Sequence, residues 1–199
     1  MADIKVILIG GTSHVGKSTL GRKLAEELGW DFLSTDQLAR HPGRPWRAGD
    51  LQLPDDVIAH YADLTVPELT DAVLQHYRRN VWPIVQATVN ARLQNPFDSA
   101  MVIEGSAVLP QQASAAQHSR IDAVWLTASD HVIEERIKRN SAYTEMTSAR
   151  RALVDAFLQR TLEFAGVLEA SLAKTNQRQL DATADDAFDT LLSLAGPNR

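Results

Sequence analysis

Residues Gly11-Thr-Ser-His-Val-Gly16-Lys17-Ser18 match the pattern G-x-x-x-x-G-K-[ST] in full. At average residue frequencies, chance would supply such a match in a chain this long on the order of 1% of the time. The residue types state the chemistry. Glycines let the backbone curl until the N–H groups of Gly11, Thr12, Ser13, His14, Val15 and Gly16 point inward at one anion. A helix starting at Lys17 aims its unpaired N–H groups at the same anion. Lys17 supplies a cation for terminal phosphates, Ser18 a hydroxyl for Mg²⁺, and Thr19 a further hydroxyl near the inner phosphate. For His14, at the loop tip, the expectation is a side chain turned to solvent while its backbone serves the phosphates.

Acids and arginines extend this constellation. Asp36, in Ser34-Thr-Asp-Gln-Leu38, is a candidate to accept a hydroxyl proton and help hold Mg²⁺; the competing role is an N-cap for Gln37–Arg40. Glu104, followed by Gly105-Ser106, suits Mg²⁺ through water, or a substrate, against the plainer role of a solvated strand end. Arg40, Arg44 and Arg47 crowd one segment, where their forks suit an anionic part of an acceptor or are simply surface charge. Arg136 and Arg139 lie one helical turn apart and suit charge developing on a γ-phosphate, unless they pair with Glu134 or Glu135. Arg150 and Arg151 form a second such pair. Trp46, Tyr77 and Trp82 are candidates to line an acceptor pocket, although Tyr77 also falls in core phase.

The elements that must position these residues are legible from periodicity. Lys5–Ile9 is a short apolar run without alternation, the mark of a strand buried on both faces. Leu20, Leu24 and Leu28 recur every four residues and Gly29 follows, which predicts a helix over Lys17–Leu28. Trp30–Ser34, Ala100–Glu104, Ile121–Leu126 and Gln179–Ala182 are the further predicted strands. Residues 36–53, rich in Pro, Gly and Arg, read as a long loop, of a length that is usually functional or disordered. Thr65-Val-Pro-Glu68 is a capping box. The helix after it carries Leu69, Val73, Tyr77 and Val81 on one face, is kinked or broken by Pro83, and resumes to about Leu93. Ser129 or Thr127 caps a helix with Val132, Ile133 and Ile137; a polar stretch over 140–148 leads to another with Leu153, Phe157, Phe164, Leu168 and Leu172 in phase. A last helix spans Asp185 to Leu194. Strands alternating with helices predict an α/β fold around a parallel sheet, with loops after the strands gathered at one edge.

Composition bounds the partners. The 199 residues suit one domain with a sizeable core. A formal charge of −5 argues against a broad nucleic-acid surface. The chain has no cysteine, which excludes disulfides, thiolate metal sites and thiol catalysis. No stretch approaches the ~20 apolar residues of a membrane span, and the opening run is too short for a signal peptide. The expectation is a cytoplasmic protein with no membrane partner. The guanine-reading N-K-x-D and the transporter L-S-G-G-Q are both absent, so ATP is the expected nucleotide.

Gly10-Gly-Thr-Ser-His-Val-Gly-Lys-Ser-Thr19 followed by Ser34-Thr-Asp-Gln-Leu38 resembles the P-loop small-molecule kinases of nucleoside-monophosphate-kinase-like fold. Within that group it looks most like the branch of chloramphenicol phosphotransferase, zeta-toxin-type kinases and 2-phosphoglycerate-kinase-like proteins. Shikimate and gluconate kinases are more distant shapes of the same plan. The resemblance implies a five-stranded parallel sheet of order 2-3-1-4-5. It also implies a helical acceptor-binding insertion over about 37–99 and an arginine-bearing lid over about 136–151. By position it gives Lys17 and Ser18 the phosphate and Mg²⁺ roles, Asp36 activation of the acceptor hydroxyl, and the turn at Asp181-Ala182-Thr183 the packing of adenine. Glu104 stands where relatives usually carry Asp, and Arg40–Arg47 matches no acceptor motif.

The leading expectation is an ATP- and Mg²⁺-dependent phosphotransferase acting on a hydroxylated small molecule. Two alternatives stand beside it: a nucleotide-switched binding ATPase without such an acceptor, and a toxin-like kinase of nucleotide sugars.

Overall fold

The opening apolar run forms β1 (Val6–Gly10), buried along its whole length. The computed structural model describes residues 4–47 and 52–196. Four more strands follow: β2 (Asp31–Ser34), β3 (Met101–Glu104), β4 (Ile121–Thr127) and β5 (Gln179–Asp181). All pair in parallel, in the order β2-β3-β1-β4-β5. This is the sheet order that the resemblance implied. β1 faces two cores at once: Ile7 and Ile9 join one apolar cluster, Val6 and Leu8 the other. Strict alternation is therefore absent from its sequence because both faces are covered.

The helix after the phosphate loop, α1 (Lys17–Leu28), closes on Gly29, whose left-handed φ of 65° lets its N–H reach the Ala25 and Glu26 carbonyls. Helix α2 (Asp55–Asp63) precedes α3 (Val66–His76), which opens on the reciprocal Thr65–Glu68 capping box. The expected interruption at Pro83 takes the form of a π turn over Tyr77–Val81. Pro83 follows directly at the start of α4 (Trp82–Gln94), so the π turn stands where the proline's missing N–H interrupts the helical ladder. A short α5 (Pro110–Ala115) follows β3. Ser129 caps α6 (Asp130–Ser141) by accepting the Val132 N–H. The 28-residue α7 (Ser148–Thr175) and the terminal α8 (Ala187–Ser193) complete the chain.

Two helices, α2 and α5, were not expected from the sequence. Both are short and each sits beside a proline, Pro54 before α2 and Pro110 at the start of α5, so neither offers a long periodic signal. The expected loop over 36–53 begins instead with a 3₁₀ turn, Thr35–Gln37, and residues 48–51 of it lie outside the described residues. Trp82, expected as a candidate pocket residue, is buried in the core with Val85, Val89 and Trp125.

Candidate functional site

Register brings the reactive strand ends to one level. Ile9 of β1 and Ser34 of β2 both stand opposite Glu104 of β3. Beyond Glu104, Gly105 adopts φ 150°, and a Cβ there would lie 1.7 Å from Thr35 Oγ1. Only glycine allows this approach. It presses the end of β3 against the 3₁₀ turn that carries Asp36. On the other side, Gly11 has φ 133°, and a Cβ there would lie 2.5 Å from the Leu126 carbonyl. The phosphate loop is thus seated directly against the end of β4.

These ends surround a cleft of about 690 Å³, lined by Ser13 to Leu20, Asp36, Arg44, Glu104, Arg136 and Arg160 among others. Thr12 and Val15 are buried, and Thr12 Oγ1 donates to the Thr161 carbonyl at 3.1 Å, fixing the loop to α7. Lys17 is buried, with Nζ 2.7 Å from the Thr12 carbonyl. Burial pulls its pKa down, and the nearby Glu104 and Asp36 carboxylates oppose that pull. Ser18 Oγ donates to Glu104 Oε1 at 3.1 Å. Glu104 is only 1% exposed, so the solvated strand end considered from sequence does not describe it. Asp36 is exposed at the rim of the cleft and lies inside the 3₁₀ turn, not at the cap of a helix over 37–40. Thr19 lines the cleft as well.

His14 overturns its expectation. Its ring is folded inward, with centroids 5.8 Å from Trp46 and 6.0 Å from Phe157. Its φ is 64°, Nδ1 lies 3.0 Å from Ser13 Oγ, and Nε2 is buried without a hydrogen-bond partner. Burial first, then the positive charges of Arg44, Lys17, Arg136 and Arg160, pushes its pKa down to about 3. The apolar faces of Trp46 and Phe157 compete better for this ring than water does. Trp46 itself packs behind the loop, 4.9 Å from Phe157, and does not line the cleft.

The arginines separate. Arg136 Nη1 donates to the His14 and Val15 carbonyls at 3.0 and 2.9 Å and approaches the Cβ position of Gly16, so it faces the phosphate loop. Arg139 lines the cleft but also stands 3.8 Å from Glu135, while Glu134 pairs with Lys138. Arg151 donates to the Tyr143 and Thr144 carbonyls, bracing a 3₁₀ turn at Tyr143–Glu145, and Arg150 is exposed. Arg44 lines the cleft. Arg40 and Arg47 do not; Arg40 pairs with Asp56 at 3.1 Å on the surface, and Arg47 is exposed. Ala182 lines the cleft, whereas Thr183 is exposed, with its N–H and hydroxyl both donating to Asp181 Oδ1.

The structure adds a group that the sequence reading passed over. Arg160 of α7 is 6% exposed and lines the cleft. Its guanidinium lies 4.6 Å over the Phe157 ring and reaches the Tyr61 hydroxyl only at 3.5 Å. Among the described residues no carboxylate pairs with it. A buried cation without a counter-charge is costly unless an anion joins it. The sequence did carry a signal: Arg160 sits three residues after Phe157 and four before Phe164, on the apolar stripe of its helix. Around it stand Tyr77, His41 and His76, also lining the cleft. Burial raises the Tyr77 pKa to about 12, so its hydroxyl keeps its proton.

The donor set suits Mg²⁺ and a polyphosphate. A serine hydroxyl and a buried carboxylate stand together beside a glycine cradle, with a lysine ammonium at its centre. Among the described residues no helix is long and apolar enough to cross a membrane.

A family model described as an AAA domain matches residues 6–164. A shikimate kinase of Nitrobacter winogradskyi is 28% identical over 132 residues, covering 66% of this chain and 50% of its own. The chain spans about half the length of the curated relatives it matches. Among solved structures, a gluconokinase from Sinorhizobium meliloti 1021 aligns over 98% of this chain and 91% of its own, with a TM-score of 0.52 and 20% identity. Shikimate kinase from Acinetobacter baumannii, in complex with shikimate, aligns over 96% and 92%, with a TM-score of 0.51 and 18% identity. At those identities the likeness establishes the fold. The chain therefore belongs to the AAA domain family and has the fold of the P-loop small-molecule kinases.

Proposed function

We propose that this chain transfers the γ-phosphoryl group of Mg-ATP to a hydroxyl of a small molecule that carries an oxyanionic group. One observation carries the reading: a phosphate cradle, an exposed carboxylate and a buried arginine with no carboxylate partner among the described residues share a single cleft. A switch that only binds nucleotide has no use for the second half of that cleft. The names of the relatives, shikimate kinase and gluconokinase, agree with such an acceptor.

In this reading Gly11 to Gly16 wrap the phosphates with backbone N–H groups, and Lys17 reaches the terminal oxygens. Ser18, with Glu104 and Asp36 nearby, would hold Mg²⁺, which when bound neutralises phosphate charge. Asp36 orients the acceptor hydroxyl and takes its proton. The acceptor oxygen forms a bond to the γ-phosphorus as the bond to the bridging oxygen breaks and ADP leaves. Arg136 and Arg139 offset charge on the transferring group. Arg44 and Arg160 hold the oxyanion of the acceptor. Ala182, with Thr183 beside it, packs the adenine. Residues 37–99 form the acceptor-binding insertion and about 136–151 the lid, whose closure excludes water. The chain works in the cytoplasm on small molecules and needs neither nucleic acid nor membrane.

Asp36→Asn tests the assignment, because it preserves shape and removes the proton acceptor. ATP affinity stays within about twofold while kcat falls about 100-fold or more. Unchanged turnover removes Asp36 from the mechanism.

A further inference from the structure

His41 meets the cleft from the loop after Asp36, and its environment fixes which nitrogen carries the proton. The Gly43 N–H donates to His41 Nδ1 at 3.1 Å. A ring nitrogen that accepts a hydrogen bond bears no proton, so in the neutral ring the proton sits on Nε2. The next peptide is held as well, because the Tyr61 hydroxyl donates to the Gly43 carbonyl. Gly43 itself has φ 77°, a left-handed turn that brings its N–H back to the ring two residues earlier. Tyr61 is buried on α2. The acceptor loop is thus anchored to the body of the protein at the point that sets this tautomer.

The ring is also clamped. Its centroid is 5.5 Å from His60 of α2, edge to face, and 5.0 Å from His76 of α3. Burial, then the charge of Arg160 and the neighbouring imidazoles, lowers the His41 pKa to about 3, which keeps the ring neutral. His60 and His76 are shifted down as well, mainly by burial. The three imidazoles do not form a metal-binding group among the described residues. Nε2 has no partner among the described residues, and it is not one of the buried atoms shut away from solvent. The Nε2–H is therefore a donor left without a partner among the described residues, on a side chain that lines the same cleft as Arg160 and Arg44.

We propose that His41, held in one tautomer by the Gly43 N–H, donates its Nε2–H to an oxyanion of the phosphoryl acceptor and so takes part in selecting that acceptor. A neutral donor beside Arg160 and Arg44 contributes direction without a further positive charge. It favours a planar or tetrahedral oxyanion, a carboxylate or a phosphate ester, over a neutral polyol. The inference rests on the kinase reading, since it assumes that this half of the cleft receives the acceptor.

The test uses the full chain with saturating Mg-ADP to fill the donor side. Nitrogen-correlated NMR first reads the His41 tautomer between pH 6 and pH 8 in about one-unit steps. The expected result is a protonated Nε2 throughout; a protonated Nδ1 overturns the proposal. Two ligand arms follow: hydroxylated carboxylates (gluconate, shikimate) and hydroxylated phosphate esters (glycerol phosphate, phosphoglycerate). The expected result is one arm that shifts the His41 Nε2–H and the Arg160 guanidinium signals together, and that arm names the oxyanion. His41→Phe then weakens that ligand about tenfold, while His41→Gln, which keeps an N–H donor, recovers at least half of the loss in logarithmic terms. His41→Phe removes both the Gly43 contact and the donor, whereas the amide of His41→Gln supplies an acceptor for Gly43 and an N–H donor, so the tautomer reading and the ligand-induced shifts carry the assignment to Nε2. A ligand that shifts Arg160 but leaves His41 unmoved overturns the His41 role and leaves the kinase reading standing. Failure of both arms to shift either residue overturns the His41 proposal together with the oxyanion assignment. Phosphoryl transfer to a neutral hydroxyl compound in that case would still uphold the kinase.

Discussion

Two neutral imidazoles enclosed in a cleft full of arginines make a specific prediction about acid. In the folded chain His14 and His41 hold pKa values of about 3, depressed mainly by burial. Unfolded, each returns to about 6.5. Below pH 6.5 the unfolded state therefore binds more protons than the folded state, and stability falls as pH falls. The contribution is fully present above the unfolded pKa and is lost progressively down to about 3. Between pH 7.5 and pH 5 each ring contributes about 2 kcal/mol of loss by proton linkage, so about 4 kcal/mol together. Neither ring is wholly enclosed, and solvent screening reduces the pair to about 2–3 kcal/mol. The carboxylates whose pKa values are lowered, Asp31, Glu68, Glu134 and Asp181, add acid sensitivity below this window, not within it. His60 and His76 act in the same direction as the main pair. Urea unfolding followed by tryptophan fluorescence at pH 7.5, 6 and 5 (steps of about one unit) measures the effect. In the double variant His14→Asn/His41→Gln, which cannot titrate at these positions and retains a residue tolerant of positive φ at 14, at least half of the pH dependence disappears. A midpoint unchanged between pH 7.5 and pH 5, or an undiminished dependence in the double variant, would mean that burial of these two rings does not set the acid sensitivity.

Further outcomes follow from the same geometry. Gly105→Ala drives a Cβ into Thr35 Oγ1 at a backbone angle foreign to alanine, so urea unfolding shows a loss of about 2–4 kcal/mol; a neutral substitution would mean that the strand end and the Asp36 turn are not locked together. Arg160→Met keeps the bulk against Phe157 and removes a buried charge that no carboxylate pairs with among the described residues. Thermal stability holds or rises, whereas the acceptor KM increases about tenfold or more with the ATP KM unchanged; equal changes in both KM values place Arg160 outside the acceptor site.

The donor half of the site was readable because its signal is local. Eleven-to-eighteen is one uninterrupted stretch, preceded by a buried strand and followed by a helix, and its backbone geometry depends on its own glycines. The sheet order came through the resemblance, since no spacing in the chain states which strands are neighbours. Glu104 was found as a strand end, but its burial depends on Ser18 and on the turn pressed against Gly105. The acceptor half is assembled from distant segments. His41, His60 and His76 are separated along the chain and meet only because α2 and α3 fold over the loop. His14 was misjudged because the partners that draw it inward, Trp46 and Phe157, lie far away in sequence. Arg160 alone left a readable trace, a charge on an apolar stripe.

The central claim is that phosphate leaves ATP for a small-molecule oxygen in this cleft. Phosphorus NMR of the full chain with Mg-ATP and a mixture of hydroxylated carboxylates, phosphate esters and neutral polyols observes that transfer directly. The expected result is a new phosphate-ester resonance that grows in step with ADP, and about 100-fold or more slowly with Asp36→Asn. ADP formed only together with inorganic phosphate, at a rate indifferent to every acceptor, would contradict it.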